Sequence, residues 1–499
     1  MPARALTIPV NTKLFLVFFS VVLLGVSAFA QPSVTLSRKV GPPTTELQVT
    51  GSNFPTSVLI DIYFGLSEVA QVVANPNNKG YFFVKIQVPA SAPPGTNWVT
   101  AVVSGTGEAA QAPFNVQTNW PEFQFAPNLD GANPYENVLS PSNAANLGLL
   151  WTFTTGSWVD SSPAVVDGVV YIGSGDGNVY ALNARTGKKL WQYTTGGSVE
   201  SSPAVVEGVV YVGSDDNNLY ALDASTGAYL WQISTGGAVE SSPAVANGVV
   251  YVGSADHNVY AVTKATATSP ACIASGFTAD QCDLWQFATG SYIYFSPSVA
   301  DGVVYAGSDD GNLYALNAVT GMDLWQFTAG PGNTMINPTV VNGAVYSCSG
   351  NSFLYALNAS TGAQLWNFFT DEFLGSSVVA NGVVYPFGGE LFALNASTGA
   401  QLWNYSLLDD FTSPAVANGV IYLAGGYNGN VYALNASTGA VLWQYTTGAY
   451  VNSSPAVANG VVYVGSNDGT VYAFSLPTPP QVPERPDPAA LRPDTSLRK

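Results

Sequence analysis

The chain has 499 residues, enough for two or three domains, and only 9% of them are charged while 47% are hydrophobic. This composition excludes an intrinsically disordered protein, and the 50 Gly and 32 Pro favour an all-β fold with many tight turns. The net charge is −18, and residues 149–475 hold 22 acidic but only four basic side chains. Such a surface repels nucleic acid and favours a neutral or cationic partner.

Residues 1–30 have the features of a secretory signal peptide. A basic stretch precedes an apolar run at 14–26, and Ala28-Phe29-Ala30 matches an A-x-A cleavage site. The mature chain is therefore predicted to begin at Gln31, without a membrane span. A transmembrane anchor stays an alternative, because the apolar run of about 17 residues is close to the length that spans a bilayer. We expect a protein that is secreted or held in the cell envelope.

Residues 31–118 are predicted to form a small β-sandwich, because short apolar runs alternate with Gly, Pro and Asn at regular spacing. The pieces VTGSNF (49–54), KGYFFVKIQVPASAPPGT (79–96) and FNV (114–116) resemble the immunoglobulin-like IPT/TIG family. The resemblance implies an Ig-like domain that serves as a spacer or as a second binding module. The predicted strands are 47–54, 58–65, 81–89 and 97–105.

Residues 119–148 are rich in Pro and Asn, show little periodicity and are interpreted as a linker. Their sequence is similar to the lead-in found before many propellers of one repeat family. Residues 478–499 are Pro-rich with mixed charge and are predicted to be a disordered tail.

From residue 149 the sequence repeats itself about every 40 residues, a period typical of propeller blades. Each repeat predicts four short strands, which in the first repeat are 162–166, 169–174, 178–183 and 189–194. Every repeat also carries one tryptophan, which we expect to pack against the next blade. These tryptophans are Trp151, Trp191, Trp231, Trp285, Trp325, Trp366, Trp403 and Trp443.

The number of repeats predicts an eight-bladed β-propeller over residues 149–477. The last repeat stops after three strands, and the segment 149–156 is a fourth strand with nothing before it. Pairing these two closes the ring and removes two open sheet edges. The predicted fold class is thus all-β, with an eight-bladed propeller of four-stranded blades preceded by a small Ig-like sandwich.

The motifs ALNARTGKKLW (181–191), ALDASTGAYLW (221–231) and ALNASTGAQLW (393–403) resemble the tryptophan-docking repeat of the PQQ-like (pyrroloquinoline quinone) family. The resemblance implies a propeller but no single function. The family contains quinoprotein dehydrogenases and also propellers without a cofactor, such as the lipoprotein scaffold of the outer-membrane β-barrel assembly machinery.

One position in the repeats could form a binding site. It lies directly before each inner strand, and ring closure would bring its copies together around one mouth of the central channel. Carboxylates on three consecutive blades would then face aromatic and apolar residues, in a funnel suited to a cationic, partly apolar ligand. The plainer interpretation is that close copies of one repeat keep the same exposed acid. The proposed funnel residues are Asp160, Glu200, Glu240, Tyr294, Phe411 and Asn452.

Residues suited to catalysis are scarce, so we predict no catalytic residue and no metal site. The single histidine, His257, lies in a predicted hairpin turn, which leaves no multi-histidine metal site or Ser-His-Asp triad. Cys272 and Cys282 share one insertion and are predicted to form a disulfide in an exported protein, whereas Cys348 is expected to be a buried thiol.

Three functions follow from these observations. The first is an exported, non-enzymatic binding or scaffold protein, monomeric, whose partner is a protein or polysaccharide of the envelope. The second is a PQQ-dependent alcohol or sugar dehydrogenase with Ca²⁺. It is disfavoured because the chain has no adjacent Cys-Cys pair and few cationic side chains for the cofactor's carboxylates. The third is a structural surface-display protein.

Overall fold

The computed structural model of the chain describes residues 30–75, 79–263, 284–330, 333–370, 375–406, 412–425, 428–477 and 486. Within these ranges the fold is all-β, and the one helical element is a 3₁₀ turn at Ala144–Asn146. None of these residues forms a helix long and apolar enough to cross a membrane. The predicted signal peptide, most of the predicted tail, and Cys272 and Cys282 lie outside the described residues.

Residues 33–116 form two β-sheets that enclose one core. Three strands make the first sheet in the order β1-β3-β6, and five make the second in the order β2-β8-β7-β4-β5. The core draws Leu47, Ile62 and Phe114 from both sheets, as the alternating apolar residues predict. The IPT/TIG family resemblance of this sandwich stays a prediction. Its strands are β1 (Ser33–Leu36), β2 (Val40–Gly41), β3 (Glu46–Ser52), β4 (Leu59–Phe64), β5 (Ser67–Val73), β6 (Phe82–Gln87), β7 (Gly95–Val103) and β8 (Ala109–Val116).

The following residues form a ring of antiparallel sheets, each one blade of a β-propeller, after a short strand β9 (Ala132–Asn133) and a strand β10 (Gly148–Thr154). Blades 1 to 4 are β11–β14 (Ala164–Val166, Val169–Gly173, Asn178–Asn183, Lys189–Thr194), β15–β18 (Ala204–Val206, Val209–Ser214, Asn218–Asp223, Tyr229–Ser234), β19–β22 (Ala244–Ala246, Val249–Gly253, Asn258–Thr263, Trp285–Ala288) and β23–β26 (Ser298–Ala300, Val303–Gly307, Asn312–Asn317, Asp323–Thr328).

Blades 5 to 7 are β27–β30 (Met335–Val341, Ala344–Ser349, Phe353–Asn358, Gln364–Phe369), β31–β34 (Ser376–Ala380, Val383–Phe387, Glu390–Asn395, Gln401–Ser406) and β35–β38 (Ala415–Ala417, Val420–Ala424, Asn430–Asn435, Val441–Thr446). Blade 8 is β39–β41 (Ala456–Ala458, Val461–Gly465, Thr470–Ser475) completed by β10. The four strands predicted for the first repeat agree with β11–β14.

The ring closes through its inner strands and through β10. In the described residues each inner strand contacts the inner strand of the next blade, and β39 of blade 8 contacts β11 of blade 1. Strand β10 pairs antiparallel with β41 from Gly148↔Ser475 to Thr154↔Thr470. The outer edge of blade 8 is therefore supplied from a segment more than 300 residues earlier in the chain, which joins the two ends of the propeller.

Tryptophans connect successive blades at the outer strands. Trp191 of blade 1, for example, donates from Nε1 to the carbonyl of Ala224 in blade 2, at 2.9 Å. Its ring lies against Gly227, whose φ is +72° and where a Cβ would come within 2.6 Å of the ring. Glycine is thus needed there both for the turn and for the close approach. The same bond links Trp151, Trp285, Trp325, Trp366 and Trp403 to Ala184, Ala318, Ala359, Ala396 and Ala436.

Two further marker tryptophans also lie between neighbouring blades. Trp231 is buried within the core shared by blades 2 and 3. Trp443 of blade 7 packs edge-on against Phe474 of blade 8, with ring centroids 5.0 Å apart.

Aspartates of the hairpin turns make a second set of links between blades. Asp216 of blade 2 accepts hydrogen bonds from the amide of Gly196, which follows the outer strand of blade 1, and from the hydroxyl of Tyr220, both at 2.6 Å. Much of the repeated negative charge is therefore used to hold blades together. The same pair of bonds occurs at Asp176, Asp256, Asp310 and Asp468.

Candidate functional site

The segment interpreted as a linker is a buried element that runs around the central channel. We call residues 119–133 the belt. Trp120, Gln124 and Leu129 are each at most 3% exposed, which is the burial of a core segment and not of a free connection. The sequence signal for this burial was its aromatic and aliphatic content, which an aperiodic, Pro-rich segment does not organise into a recognisable element.

The belt hydrogen-bonds to the inner strand of each blade. Inner strands have one edge that faces the channel, and their unpaired amides need acceptors. The bonds begin with the reciprocal pair of Trp120 and Val165, at 2.7 and 2.6 Å, and end where Asn133 Nδ2 donates to the carbonyl of Val457 at 2.8 Å. In between, the amides of Val205, Val245, Val299, Val340, Val379 and Val416 donate to belt acceptors.

The belt closes one end of the channel, which we call the belt mouth. Asn119, the first belt residue, and Thr118 before it bond to Asp167 and Asn459, which lie in the turns that follow the inner strands of blades 1 and 8. The β-sandwich therefore joins the propeller at this mouth. Asn137, just beyond the belt, also donates to two sandwich carbonyls at 2.9 Å.

Between its bonds to blades 3 and 4, the belt makes an excursion into the channel at residues 122–126. Gln124 and Phe125 adopt left-handed φ values of 50° and 76°, a conformation that non-glycine residues adopt at an energetic cost. The excursion brings Phe123 into the channel, and it lets Gln124 Nε2 donate to Ser376 Oγ at 3.0 Å. Gln124 Oε1 is buried and has no hydrogen-bond partner among the described residues.

Glu122, at the start of the excursion, is a buried carboxyl at the belt mouth. One of its oxygens accepts the amide of Val245 at 3.2 Å in place of a belt carbonyl. Burial raises the pKa of Glu122 to about 8, although the Val245 amide bond lowers it. The side chain is therefore mostly neutral at pH 7 and contributes little charge to the channel.

The opposite end of the channel, the open mouth, leads into a cavity of about 310 Å³. Phe123 of the belt forms its floor, and the ends of the inner strands form its wall. Lining residues include the carboxylates Asp160 and Glu200 and the apolar side chains Phe295, Ile336 and Phe387. The cavity thus has an acidic side on blades 1 and 2 and an apolar side on blades 4 to 6.

A ring of small polar side chains surrounds the cavity, one at the start of each inner strand. In the described residues, five consecutive backbone amides each donate to the side chain of the next blade, at 2.8–3.1 Å. These bonds fix the hydroxyl positions, and each hydroxyl keeps further hydrogen-bonding capacity for a ligand. The ring consists of Ser162, Ser202, Ser242, Ser296, Asn337, Ser376, Ser413 and Ser454, all of which except Ser296 line the cavity.

The predicted carboxylates lie close enough at the open mouth to affect one another. Burial, together with the charges of Asp215, Glu240 and Asp160, raises the pKa of Glu200 to about 7. Burial also raises the pKa of Glu240 and of Asp160, and Asp160 accepts a hydrogen bond from Asn452 Nδ2 at 3.4 Å. The open mouth is therefore a region of concentrated, partly desolvated negative charge.

The other proposed funnel residues occupy different places. Tyr294 stacks on Tyr292 with centroids 5.2 Å apart, and neither it nor Glu240 lines the cavity itself. Burial raises the pKa of Tyr294, and the charge of Glu240 raises it further, which places the two side chains near each other. Phe411 lies outside the described residues.

Sequence reasoning missed a rim of exposed aromatic side chains around the open mouth. Trp158, Tyr292 and Tyr450 occupy the same repeat position, two residues before Asp160, Tyr294 and Asn452, and all three are exposed. Trp158 lies flat over Gly175, where a Cβ would come 2.3 Å from its ring. An alignment of the repeats on the mouth position would have found this rim, because the equivalent residues of blades 2 and 3 are Ser198 and Ala238.

The chemistry of the cavity does not fit pyrroloquinoline quinone. This cofactor carries carboxylates, which proteins hold with cationic side chains. The charged residues of the cavity are Asp160 and Glu200, whereas Arg185, Lys188 and Lys189 are exposed at the outer edge of blade 1. In the part of the chain that the structure describes, no three His, Cys, Asp or Glu side chains come together as a set that could hold a metal ion.

The remaining candidates, His257 and Cys348, lie in a turn and in the core, respectively. His257 occupies the predicted hairpin turn with φ +76°, and its ring packs edge-on against Tyr292, with centroids 4.8 Å apart. Cys348 is a fully buried thiol in the core, as expected.

Comparisons with known proteins agree with this architecture. A family model described as the outer membrane protein assembly factor BamB, built on PQQ-like repeats, matches residues 135–200, 194–291, 273–413 and 411–478. No curated protein matches the chain.

Solved structures share the propeller fold at low identity. BamB from Moraxella catarrhalis is 21% identical with a TM-score of 0.56, covering 66% of this chain and 98% of that one. Quinohemoprotein alcohol dehydrogenase from Comamonas testosteroni is 17% identical with a TM-score of 0.59, covering 74% and 82%. The computationally designed Ika8 protein is 18% identical with a TM-score of 0.57, covering 66% and 99%. At these identities the similarity establishes the β-propeller fold, and the function has to be inferred from the site.

Proposed function

The chain belongs to the PQQ-like repeat family described as the outer membrane protein assembly factor BamB, and from this premise we propose that it is a non-enzymatic binding protein. Its place is the cell envelope or the extracellular space, and it holds its partner at the open mouth of the propeller. The sandwich, fixed at the belt mouth, leaves the open mouth free for that partner.

The observation that carries this proposal is the difference between the two ends of the channel. At the belt mouth, the inner-strand amides are satisfied by the chain's own residues 119–133. At the open mouth, the cavity is lined by oriented hydroxyls, carboxylates and phenyl rings. A concave site with converging polar groups beside apolar walls is the usual form of a binding site.

Binding without catalysis is supported by the groups that the cavity offers. General acid–base or nucleophilic catalysis needs a titratable group paired with a second group that activates it. The cavity provides carboxylates of like charge and hydroxyls held by backbone amides, and His257 lies in a turn of blade 3.

A PQQ-dependent dehydrogenase is the second candidate, favoured by the fold shared with a quinohemoprotein alcohol dehydrogenase. It is tested by titrating the purified mature protein with PQQ and Ca²⁺ while following absorbance, melting temperature and dye-linked alcohol or sugar oxidation. We expect no saturable binding and no turnover. Saturable binding with turnover would replace the binding function with an oxidoreductase.

The binding function is tested by blocking the open mouth. Asn452 is exposed at the rim and lines the cavity, so Asn452→Trp places an indole across the entrance. Asp323, exposed on the outer strand of blade 4, provides a matched control in Asp323→Trp. Tagged mature proteins are used to capture partners from envelope extracts. We expect Asn452→Trp to lose the partners that wild type and Asp323→Trp retain. Equal capture by all three would contradict a site at this mouth.

Export is tested separately by sequencing the N-terminus of the protein recovered from its native envelope or medium. The signal peptide predicts a mature chain that begins at Gln31. An intact Met1 on the recovered protein would contradict cleavage.

A further inference from the structure

We infer that the open mouth recognises an arginine side chain on a protein partner, inserted into the cavity between the carboxylates of blades 1 to 3 and the apolar wall of blades 4 to 6. This inference rests on the proposed binding function and specifies its ligand. Four features carry it: the charge, the hydroxyl ring, the apolar floor and the aromatic rim.

Among the described residues, no basic side chain lies beside the negative charge at the mouth. Asp160, Glu200 and Glu240 lie on consecutive blades, and Asp215 faces the same region. The described basic side chains of the propeller are all at the outer edge of blade 1. A bound cation removes the mutual repulsion of these carboxylates, whereas a neutral ligand leaves it in place.

The hydroxyl ring favours a ligand with many hydrogen-bond donors in one plane. Ser162 and Ser202 each accept an amide at 2.9 Å and keep a second acceptor site. Behind the wall, Gln124, only 2% exposed, donates from Nε2 to Ser376 Oγ at 3.0 Å and so fixes the position of that hydroxyl. A guanidinium offers five N–H donors in a fixed plane, whereas an ammonium is a compact point charge that retains water more strongly.

The apolar surfaces fit the rest of an arginine side chain. Phe123 at the floor and Phe387 at the wall suit its methylene stem, since long cationic side chains bury their stems against apolar surface. Trp158, Tyr292 and Tyr450 at the rim provide faces on which a guanidinium or a peptide plane can stack. A sugar can also stack on such rings, but it brings no charge to the carboxylates.

The cavity volume favours one inserted side chain over an oligosaccharide. Sites for small ligands usually measure about 300–1,000 Å³. At about 310 Å³, this cavity is at the lower end of that range and has room for one long side chain. The rest of the partner would then rest on the aromatic rim.

The test uses the mature full-length protein and a peptide blocked at both ends, Gly-Gly-Arg-Gly-Gly, with its citrulline counterpart as the neutral isostere. Binding is measured by calorimetry at low ionic strength. We expect saturable binding of the arginine peptide, at least tenfold weaker binding of the citrulline peptide, and a several-fold loss at high salt. The double variant Asp160→Asn/Glu200→Gln should bind the arginine peptide at least tenfold more weakly, while Asp323→Asn should bind it as wild type does.

Two results would overturn the inference. One is equal affinity for the arginine and citrulline peptides, or no binding of either. The other is saturable binding of a neutral glucose oligomer that the double variant retains, which would assign a polysaccharide instead. Partner capture with Asn452→Trp distinguishes a failure of the arginine inference from a failure of the proposed binding function. If that variant loses its partners while the arginine peptide fails to bind, the binding function stands and only the ligand class is wrong.

A change that prevented folding could imitate a loss of binding, so each variant is first compared with wild type by thermal melting. Phe123→Leu provides a second, milder change at the cavity floor that alters no charge. It should weaken the binding of the arginine and citrulline peptides by the same factor, whereas the Asp160→Asn/Glu200→Gln variant should weaken only the binding of the arginine peptide.

Discussion

The two mouths of the propeller channel are built from the same repeated strands but differ in what covers them. At the belt mouth, a non-repeated segment supplies one acceptor after another to the inner strands, and Glu122 there is mostly neutral. At the open mouth, no segment of the described residues runs across the inner strands in this way, and the carboxylates of Asp160 and Glu200 share a cavity. Repeats thus build the frame, and residues that depart from the repeat decide which end can bind a ligand.

The difference also separates two uses of acidic residues. Asp216 and its copies in the hairpin turns bond to amides of the preceding blade and therefore stabilise the ring. Burial and neighbouring carboxylates raise the pKa values of Glu200 and Glu240, which indicates that their charges are not compensated by the described residues. Uncompensated charge at a cavity is a feature of binding sites, because a ligand can relieve it.

The largest expected effect comes from breaking the belt. Trp120 is 2% exposed and bonds to blade 1 through its backbone, whereas Trp158 at the open mouth is 42% exposed. We expect Trp120→Ala to lower the free energy of unfolding by about 3–5 kcal/mol, the range for a buried large aromatic. Trp158→Ala should cost about 1 kcal/mol or less. Denaturant titration of both variants checks this, and equal losses would contradict the contrast between the mouths.

A smaller effect is expected from Glu122→Gln, and it depends on pH. The folded pKa of about 8 is above the ordinary value of 4.5, so the folded state holds a proton that the unfolded state releases. Wild-type stability should therefore fall as pH rises from about 5 to 8, on the order of a few kcal/mol. A glutamine at position 122 can still accept the Val245 amide but does not ionise, so the variant should not lose stability over this pH range. Above pH 8 the variant should therefore be more stable than wild type. If the free energies of unfolding of the two proteins change in parallel across pH 5, 7 and 9, Glu122 is not a buried carboxyl with a raised pKa.

The open mouth should respond to pH in the opposite sense, through ligand affinity. Glu200 has a pKa of about 7, Asp160, Asp215 and Glu240 are the titratable groups that act on it, and Tyr294 lies beside Glu240. Its carboxyl is mostly protonated at pH 6 and mostly ionised at pH 8, so the affinity for the arginine peptide should rise several-fold between them. Calorimetry of Glu200→Gln should show a smaller rise, and an unchanged rise would assign the titration to another group.

The smallest effect is expected at His257. Its turn position has φ +76°, and Asn217 occupies the equivalent turn of blade 2 at φ +69°. His257→Asn should therefore change the free energy of unfolding by less than about 0.5 kcal/mol. It should leave peptide binding unchanged. A clear loss of binding in calorimetry would give the histidine a role at the open mouth.

The blades could be predicted from the sequence because their information is local and repeated. Tight turns such as Asp167-Gly168 fix where β11 and β12 begin and end, and the unpaired strand 149–156 indicated how the ring closes. The positions of Asp160, Glu200 and Glu240 at one mouth followed from the same repeat, since equivalent residues of a closed ring meet at one end.

The belt and the aromatic rim could not be predicted in the same way. Asn133 bonds to Val457, 324 residues away, and nothing near it in the chain indicates that partner. Glu122 reads as an exposed acid beside a proline, and only its contact with Val245 shows it to be buried. Trp158 differs from the residues at its repeat position in blades 2 and 3, so it stands out only when the repeats are compared as sites around one mouth.

Site-resolved hydrogen exchange tests the central claim most directly, that the belt closes one mouth while the described residues leave the other open. The amides of Val165, Val299, Val340 and Val416 donate to belt carbonyls, so they report on the belt and not on pairing within a blade. We predict that they exchange as slowly as the paired central strands, while backbone amides of the loops around Trp158 and Tyr292 exchange far faster. Rapid exchange of the belt-bonded valines in the folded protein would contradict a closed mouth and, with it, the assignment of the binding site to the other end.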